Sequence, residues 1–145
     1  MDGFEFDTLR LENQLCFPLY ACSKEIIRRY KPFLDPLDLT YTQYIALMVL
    51  WEKGCVSVKE LGDMLYLDSG TLTPVLKKLE TKQYITRTRS REDERSVLIA
   101  LTDRGIALKA EARHIPEKMG ACVKLEPEEA FQLYALLHKI LSGLN

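Results

Sequence analysis

The sequence has no apolar run long enough to cross a bilayer. The longest, Tyr44 to Trp51 (YIALMVLW), falls far short of the roughly 20 residues a spanning helix needs. The N-terminal stretch MDGFEFDTLRLENQ is acidic and lacks the basic-then-apolar order of a secretory leader, so a cytoplasmic setting without a membrane partner is expected. No C-x-x-C pair occurs among Cys16, Cys22, Cys55 and Cys122, and the only histidines are His114 and His138. Nothing has metal-ligand spacing, so neither a metal nor a cofactor is expected, and in a reducing compartment the cysteines should be thiols. There is also no internal repeat and no low-complexity segment.

What is present is ordinary in bulk and uneven in detail. The chain has 145 residues, 47% hydrophobic and 28% charged, enough to bury a real core. Its net charge of −1 hides an asymmetry. Between Val75 and Arg91 lie Lys77, Lys78, Lys82, Arg87, Arg89 and Arg91 against Glu80 alone. One basic stretch on an acidic body points to one defined anionic partner surface.

Leu11, Leu15, Leu19, Cys22, Ile26 and Tyr30 recur at helical spacing. Pro18 interrupts the stripe, so either the regular helix starts beside it or the helix kinks there. Pro32 and Pro36 are expected to break the chain. Thr40 opens a second helix through Glu52, with Tyr44, Leu47, Met48 and Trp51 inward, and Gly54 ends it. VSVKELGDMLYL then reads as a short extended piece entering a helix with Leu61, Met64 and Leu65 inward. TLTPVLKKLETK is helical at least from Pro74, with Val75, Leu76 and Leu79 available for packing. YITRTR and SVLIAL form a hairpin around the charged connection Ser90–Arg95. Thr102 caps a helix running to about Met119, bent by Pro116, and Pro127 opens a last helix with Leu133, Leu137, Ile140, Leu141 and Leu144 on one face.

Helix, turn, helix and basic hairpin in immediate succession describe a winged helix-turn-helix. The expected fold is therefore mainly α with a small β-hairpin wing. A lysine-rich helix alone would read as a solvated face; the succession makes DNA the better reading. Ser69, Thr71 and Thr73 can donate to phosphates or base edges, and Lys77, Lys78 and Lys82 suit phosphates. Arg91 and Arg95 at the hairpin tip can enter a minor groove. Of the tip acids Glu92, Asp93 and Glu94, at least one is expected to pair with an arginine and shape the tip. The outer helices carry apolar stripes that most simply pack against a second copy, giving a homodimer on two half-sites.

At this point the residues resemble a known family. The element order is similar to that of the MarR family of dimeric bacterial repressors. LENQLCFPLY, YKPFLDPLDLTYTQY, LYLDSGTLTPVLKKLE and REDERSVLIALT resemble its organic-hydroperoxide-sensing members of the OhrR type, over about Leu11 to Leu144. The resemblance implies one MarR-type domain over 1–145, with dimerisation helices at about 1–40 and 104–145 and a reading lobe at about 41–103. It implies that Cys16 is the peroxide-reactive cysteine, and that Tyr30 and Tyr41 reach across the dimer to hydrogen-bond its thiol. Asp68, Ser69, Thr71 and Thr73 fall at the start of the recognition helix, and Asp93 and Arg95 match the wing pair. Members divide into one-cysteine and two-cysteine sensors, and Cys122 lies in the region of a resolving cysteine without a close match around it.

By position alone, a cysteine set among Leu15, Phe17 and Leu19 reads as core filler. A cysteine reacts as its thiolate, which the positive end of a helix favours, and Pro18 in a first turn would place Cys16 at such an end. From residue 16 to residue 22 a helix rises about 9 Å. Bridged cysteines need Cα atoms within about 7 Å, which argues against a Cys16–Cys22 disulfide. Cys22 is expected to be buried on the stripe, and Cys55 to be a small apolar residue at a strand start. The expected function is repression of a palindromic operator in double-stranded DNA, released when an organic hydroperoxide converts Cys16 to a sulfenic acid. That acid would condense with Cys122 or a low-molecular-weight thiol. Two rivals stand beside it: a MarR-type regulator gated by a phenolic ligand, and a thiol peroxidase, the only one of the three that is an enzyme.

Overall fold

The computed structural model describes residues 7–144; MDGFEF, the start of the stretch read for a leader, lies outside the described residues. Leu11–Asn13 make one 3-10 turn, and helix α1 runs Cys16–Leu34. The helix starts beside Pro18 and does not kink there. Pro18 is its third residue, where a backbone N–H has no intrahelical acceptor and the missing donor costs nothing. The expected break at Pro32 does not occur. The one hydrogen bond lost lies in the last turn, where Lys31 pairs with Asp35 at 3.0 Å and Leu34 is buried. The chain leaves the helix through the 3-10 turn Asp35–Leu37, which holds Pro36.

Helix α2, Tyr41–Lys53, opens on a capping box in which Thr40 Oγ1 accepts from the Gln43 amide and Gln43 Oε1 accepts from the Thr40 amide. Gly54 ends it at φ +79°, a conformation glycine adopts without strain. Tyr44, Ala46, Leu47, Val49 and Leu50 are buried, whereas Met48, expected inward, is exposed. Strand β1 (Cys55–Ser57) leads into α3 (Val58–Leu65) and then α4 (Ser69–Thr81), which starts ahead of Pro74. Leu61, Leu72, Leu76 and Leu79 close the core beneath them; Met64 faces solvent. Strands β2 (Ile85–Arg89) and β3 (Val97–Leu101) form the expected hairpin, and β1 adds to it in the antiparallel order β1-β3-β2. The wing is thus rooted by a third strand, with Val56 opposite Ile99 and both buried.

Two junctions hold the wing. Glu80 on α4 and Arg87 on β2 form a two-point fork, with Nε to Oε2 at 3.2 Å and Nη2 to Oε1 at 3.0 Å. The Thr102 hydroxyl accepts from the Gly105 amide at 3.1 Å and donates to the Gln83 carbonyl at 2.6 Å. It therefore caps α5 (Asp103–Ala112) and ties its first turn to the α4–β2 corner. Gly105 sits so close to that corner that a Cβ there would fall 2.2 Å from the Tyr84 carbonyl oxygen.

The single helix expected to reach Met119 is two helices, because the chain turns at Arg113 and His114. Pro116 then lies in the first turn of α6 (Ile115–Cys122), where proline fits without kinking it. The chain divides into two compact units, one ending at Ile115 and the other beginning at Pro116. In the second, α7 (Pro127–Leu144) starts at the expected proline and has no buried residue. Phe131, Leu133, Leu136, Ile140 and Leu144 are all exposed.

Gly105→Ala should lower stability by about 1–3 kcal/mol, the usual cost of forcing a methyl into packed backbone, read as an earlier urea midpoint at fixed protein concentration. The Glu80–Arg87 fork gives a second expectation. Arg87 holds the Glu80 carboxyl below its ordinary value of 4.5. Its contribution is therefore present above that value and is lost as pH falls through the lower, folded one. Denaturant midpoints taken from about pH 6 to about pH 3 should decline less steeply in Glu80→Gln than in the parent chain.

Candidate functional site

Asp68 stands at the N-cap of α4, its Oδ1 accepting the Thr71 amide at 2.7 Å. Hydrogen bonds from the Thr71 amide and side chain hold its carboxyl below the usual range. Asp68 thus sets where the helix begins. Ser69 and Thr71 are exposed on its first turn, and Thr73 donates its hydroxyl back to the Ser69 carbonyl at 2.6 Å. Lys77 and Lys78 are exposed, and neither takes an ion pair among the described residues. Lys82 differs from expectation. It turns inward to the Asp38 carbonyl, the Asp38 carboxylate at 3.5 Å and Gln43 Oε1 at 3.2 Å, bracing α4 against the start of α2. Arg87, counted among the DNA-binding residues of the basic segment, is held in the fork with Glu80.

At the wing tip Arg91 and Arg95 are exposed. Asp93 is the acid that shapes the tip, but through backbone: its Oδ1 accepts the Arg95 amide at 3.0 Å, and its carbonyl accepts the Ser96 amide at 2.9 Å. The Arg95 guanidinium stays out of that bond. An open cleft of about 650 Å³ between α3, the start of α4 and the wing is lined by Ser69, Thr73, Arg87 and Arg95 among others. Side chains from α4, β2 and the wing tip therefore line one concave surface, where Ser69 and the exposed Arg95 can meet phosphate oxygens while Thr73 and Arg87 are held by the Ser69 carbonyl and Glu80.

Cys16 is the first residue of α1 and is exposed, flanked by exposed Leu15 and Phe17. A hollow of about 430 Å³ beside it is lined by Arg10, Leu11, Phe17 and Pro18. Cys22, expected to be buried, is exposed, because the stripe it belongs to is itself uncovered within the chain. Cys55, at the start of β1, and Cys122, at the end of α6, are also exposed free thiols. From residue 16 to residue 30 the helix rises about 21 Å, so a bond between Cys16 and Tyr30 requires a second copy of the chain.

Tyr30 and Tyr41 are brought together, their ring centroids 4.9 Å apart. The sequence did not single out what lies behind them. Tyr44 is 5.8 Å from Tyr30 and 6.4 Å from Tyr41, and Trp51 meets Tyr44 edge-on at 6.4 Å. The helical spacing of 41, 44, 47, 48 and 51 carried that array, but it reads equally as core. Burial, aided by neighbouring phenols, pushes Tyr44 up to about 12, and burial also raises Tyr30 and Tyr41. All three phenols therefore remain protonated donors near neutral pH. Among the described residues no three His, Cys, Asp or Glu side chains gather as a metal set. No helix there is long and apolar enough to cross a membrane.

Residues 28–112 match the family of transcriptional regulators SarA/Rot. The organic hydroperoxide resistance transcriptional regulator of Bacillus subtilis is 52% identical over 97% of this chain and 96% of its own length. Reduced AbfR bound to DNA, from a protein of Staphylococcus epidermidis, superposes with a TM-score of 0.79 at 33% identity, covering 95% of this chain and 96% of that one. Wild-type MarR of E. coli in its apo form gives 0.68 at 27% identity, covering 88% and 96%. Cap, hydroxyl turn, rooted wing and sequence agree, and the chain belongs to the MarR-type winged-helix transcriptional regulators, in the branch of the organic hydroperoxide resistance regulators.

Proposed function

We propose that this chain is a redox-sensing repressor: a homodimer that holds a palindromic operator while Cys16 is reduced and releases it when an organic hydroperoxide oxidises that thiol. The observation that carries the reading is Cys16 itself, exposed at the start of α1 among apolar side chains, in a chain 52% identical to an organic hydroperoxide resistance regulator. The exposed apolar faces of α1 and α7 supply the dimer surface, about 1–40 and 104–145, with 41–103 as the reading lobe. In the lobe Ser69, Thr71 and Thr73 meet the major groove and Lys77 and Lys78 the phosphates. Arg91 and Arg95 reach the minor groove. Asp68 and Asp93 shape the two elements that present them, and Arg87 holds the wing at its angle.

The Cys16 thiolate attacks the terminal peroxide oxygen. The O–O bond breaks, an S–O bond forms, and the alkoxide leaves as the alcohol after taking a proton. Sulfur is oxidised by two electrons and the peroxide is reduced by two. The sulfenic acid then condenses with a thiol, from Cys122 of a second copy or a small cellular thiol, forming S–S and releasing water. Tyr30 and Tyr41 of the second copy donate to the Cys16 sulfur, and the oxidised sulfur displaces them. Half-sites lie about 34–36 Å apart, so a small reorientation of two heads costs much of the affinity. A preference for a peroxide with an organic tail follows the organic hydroperoxide resistance relative; the hollow beside Cys16 is mixed, with Leu11, Phe17 and Pro18 facing Arg10, Glu12 and Gln14.

A gel-shift series with cumene hydroperoxide tests this. The parent protein should release operator, and Cys16→Ser should stay bound; release by Cys16→Ser would sink the sensor reading and favour the phenol-gated one. Cys122→Ser that releases normally, without a protein-linked disulfide in the parent by non-reducing mass analysis, makes it a one-cysteine sensor. Salt titrations separate the lysines. Lys77→Ala should reduce the slope of log K against log salt by about 0.9, the share of one phosphate contact, while Lys82→Ala leaves it unchanged. Arg95→Ala should weaken operator binding with the dimer intact.

A further inference from the structure

The aromatic array does not stop at the sensing tyrosines. From Tyr30 and Tyr41 it passes to Tyr44 and then to Trp51, whose Nε1–H donates to the Gly105 carbonyl at 2.9 Å. Residues 51 and 105 are far apart in sequence, and this bond links α2 to the first turn of α5. Gly105 has no room for a side chain: a Cβ there would fall 2.2 Å from the Tyr84 carbonyl oxygen, and its amide is held by Thr102. Thr102 in turn bonds Gln83 through its hydroxyl and Tyr84 through its amide, at the corner where α4 gives way to wing strand β2. An unbroken run of ring contacts and hydrogen bonds thus joins the tyrosine pair to the base of both reading elements.

We infer that Tyr44 and Trp51 are positioning residues of the redox switch: Tyr44 backs the Tyr30–Tyr41 pair, and the Trp51–Gly105 bond passes that pair's displacement to the root of the wing. The inference rests on the sensing role proposed above for Cys16, Tyr30 and Tyr41. Each link is short and directional. Tyr44 is buried with its ring tilted against both Tyr30 and Tyr41 and edge-on to Trp51, so a shift of the half-exposed Tyr30–Tyr41 pair presses on a ring that has no free space to absorb it. Trp51 is then either pulled along with its hydrogen bond or parted from Gly105, and both displace α5's first turn against the Tyr84 carbonyl. Coupling between two sites needs an element whose arrangement both bias, and this junction touches both.

Trp51 is the only tryptophan in the chain, so its fluorescence reports this link directly. In the parent protein cumene hydroperoxide should change Trp51 emission at the rate at which operator is released, and Cys16→Ser should show neither change. Trp51→Phe keeps a ring against Tyr44 and removes only the N–H donor. It should form a dimer, form sulfenic acid at Cys16 at the parent rate by dimedone labelling, and bind operator when reduced within about threefold of the parent. The ratio of oxidised to reduced Kd, about 5–150-fold for coupling of ordinary size, should fall to within about threefold of unity. Tyr44→Leu, which interrupts the rings one step earlier, should lower the same ratio.

A parent-like ratio in folded Trp51→Phe, or parent release with unchanged Trp51 emission, overturns the inference and leaves the sensor standing. Release that persists in Cys16→Ser overturns the sensor and this inference with it. The emission arm needs no core variant, so misfolding of a mutant does not remove the test.

Discussion

The first turn of α5 lies on the corner between α4 and β2 with no room for a side chain at Gly105. The geometry of the reading head follows from that close approach. Thr102 caps the helix and bonds the corner with one hydroxyl, and Trp51 reaches the same turn from α2. Glu80 and Arg87 fix the other side of the corner, clamping wing strand β2 to helix α4. A hairpin with its own turn alone would be marginal in water. Here a third strand, a cap and an ion-pair fork hold it, so the exposed Arg91 and Arg95 can project from a firm base.

This division of labour explains why the basic segment does not act as one charge cloud. Lys77, Lys78, Arg91 and Arg95 face solvent, while Lys82 and Arg87 are consumed by internal partners. The pairing leaves a smaller set of free cations placed by rigid elements, and placement is what lets a reader recognise groove geometry and not merely charge density. The acids serve the same end. Asp68 begins helix α4 and Asp93 folds the wing tip, each through a backbone amide.

Much of this architecture is legible in the amino-acid sequence. The spacing of apolar residues, the caps at Thr40 and Thr102, and two β-prone runs around a charged connection specify a winged helix-turn-helix, and local rules suffice for them. Pro32 and the α5–α6 turn depart from expectation because proline's effect depends on where in a helix it lands: the last turn tolerates the loss of one bond. Cys22 and Met48 lie outside and not inside because periodicity identifies an apolar face without saying what covers it. Cys22 belongs to a stripe left open within the chain, and Met48 lies on the one side of α2 that its neighbours leave uncovered.

The sequence by itself determined most of the elements, their order and the basic segment, because each rests on neighbours within a turn or two of chain, whereas the candidacy of Cys16 came from the family resemblance. The sequence could not say which cations stay free, since Lys82 meets Asp38 and Arg87 meets Glu80 only once helices and strands have packed. Nor could it show that Tyr30, Tyr41, Tyr44 and Trp51 form one array ending on a backbone carbonyl at Gly105. Contacts between residues distant in sequence are set by the close packing of whole elements, and only the tertiary structure decided them.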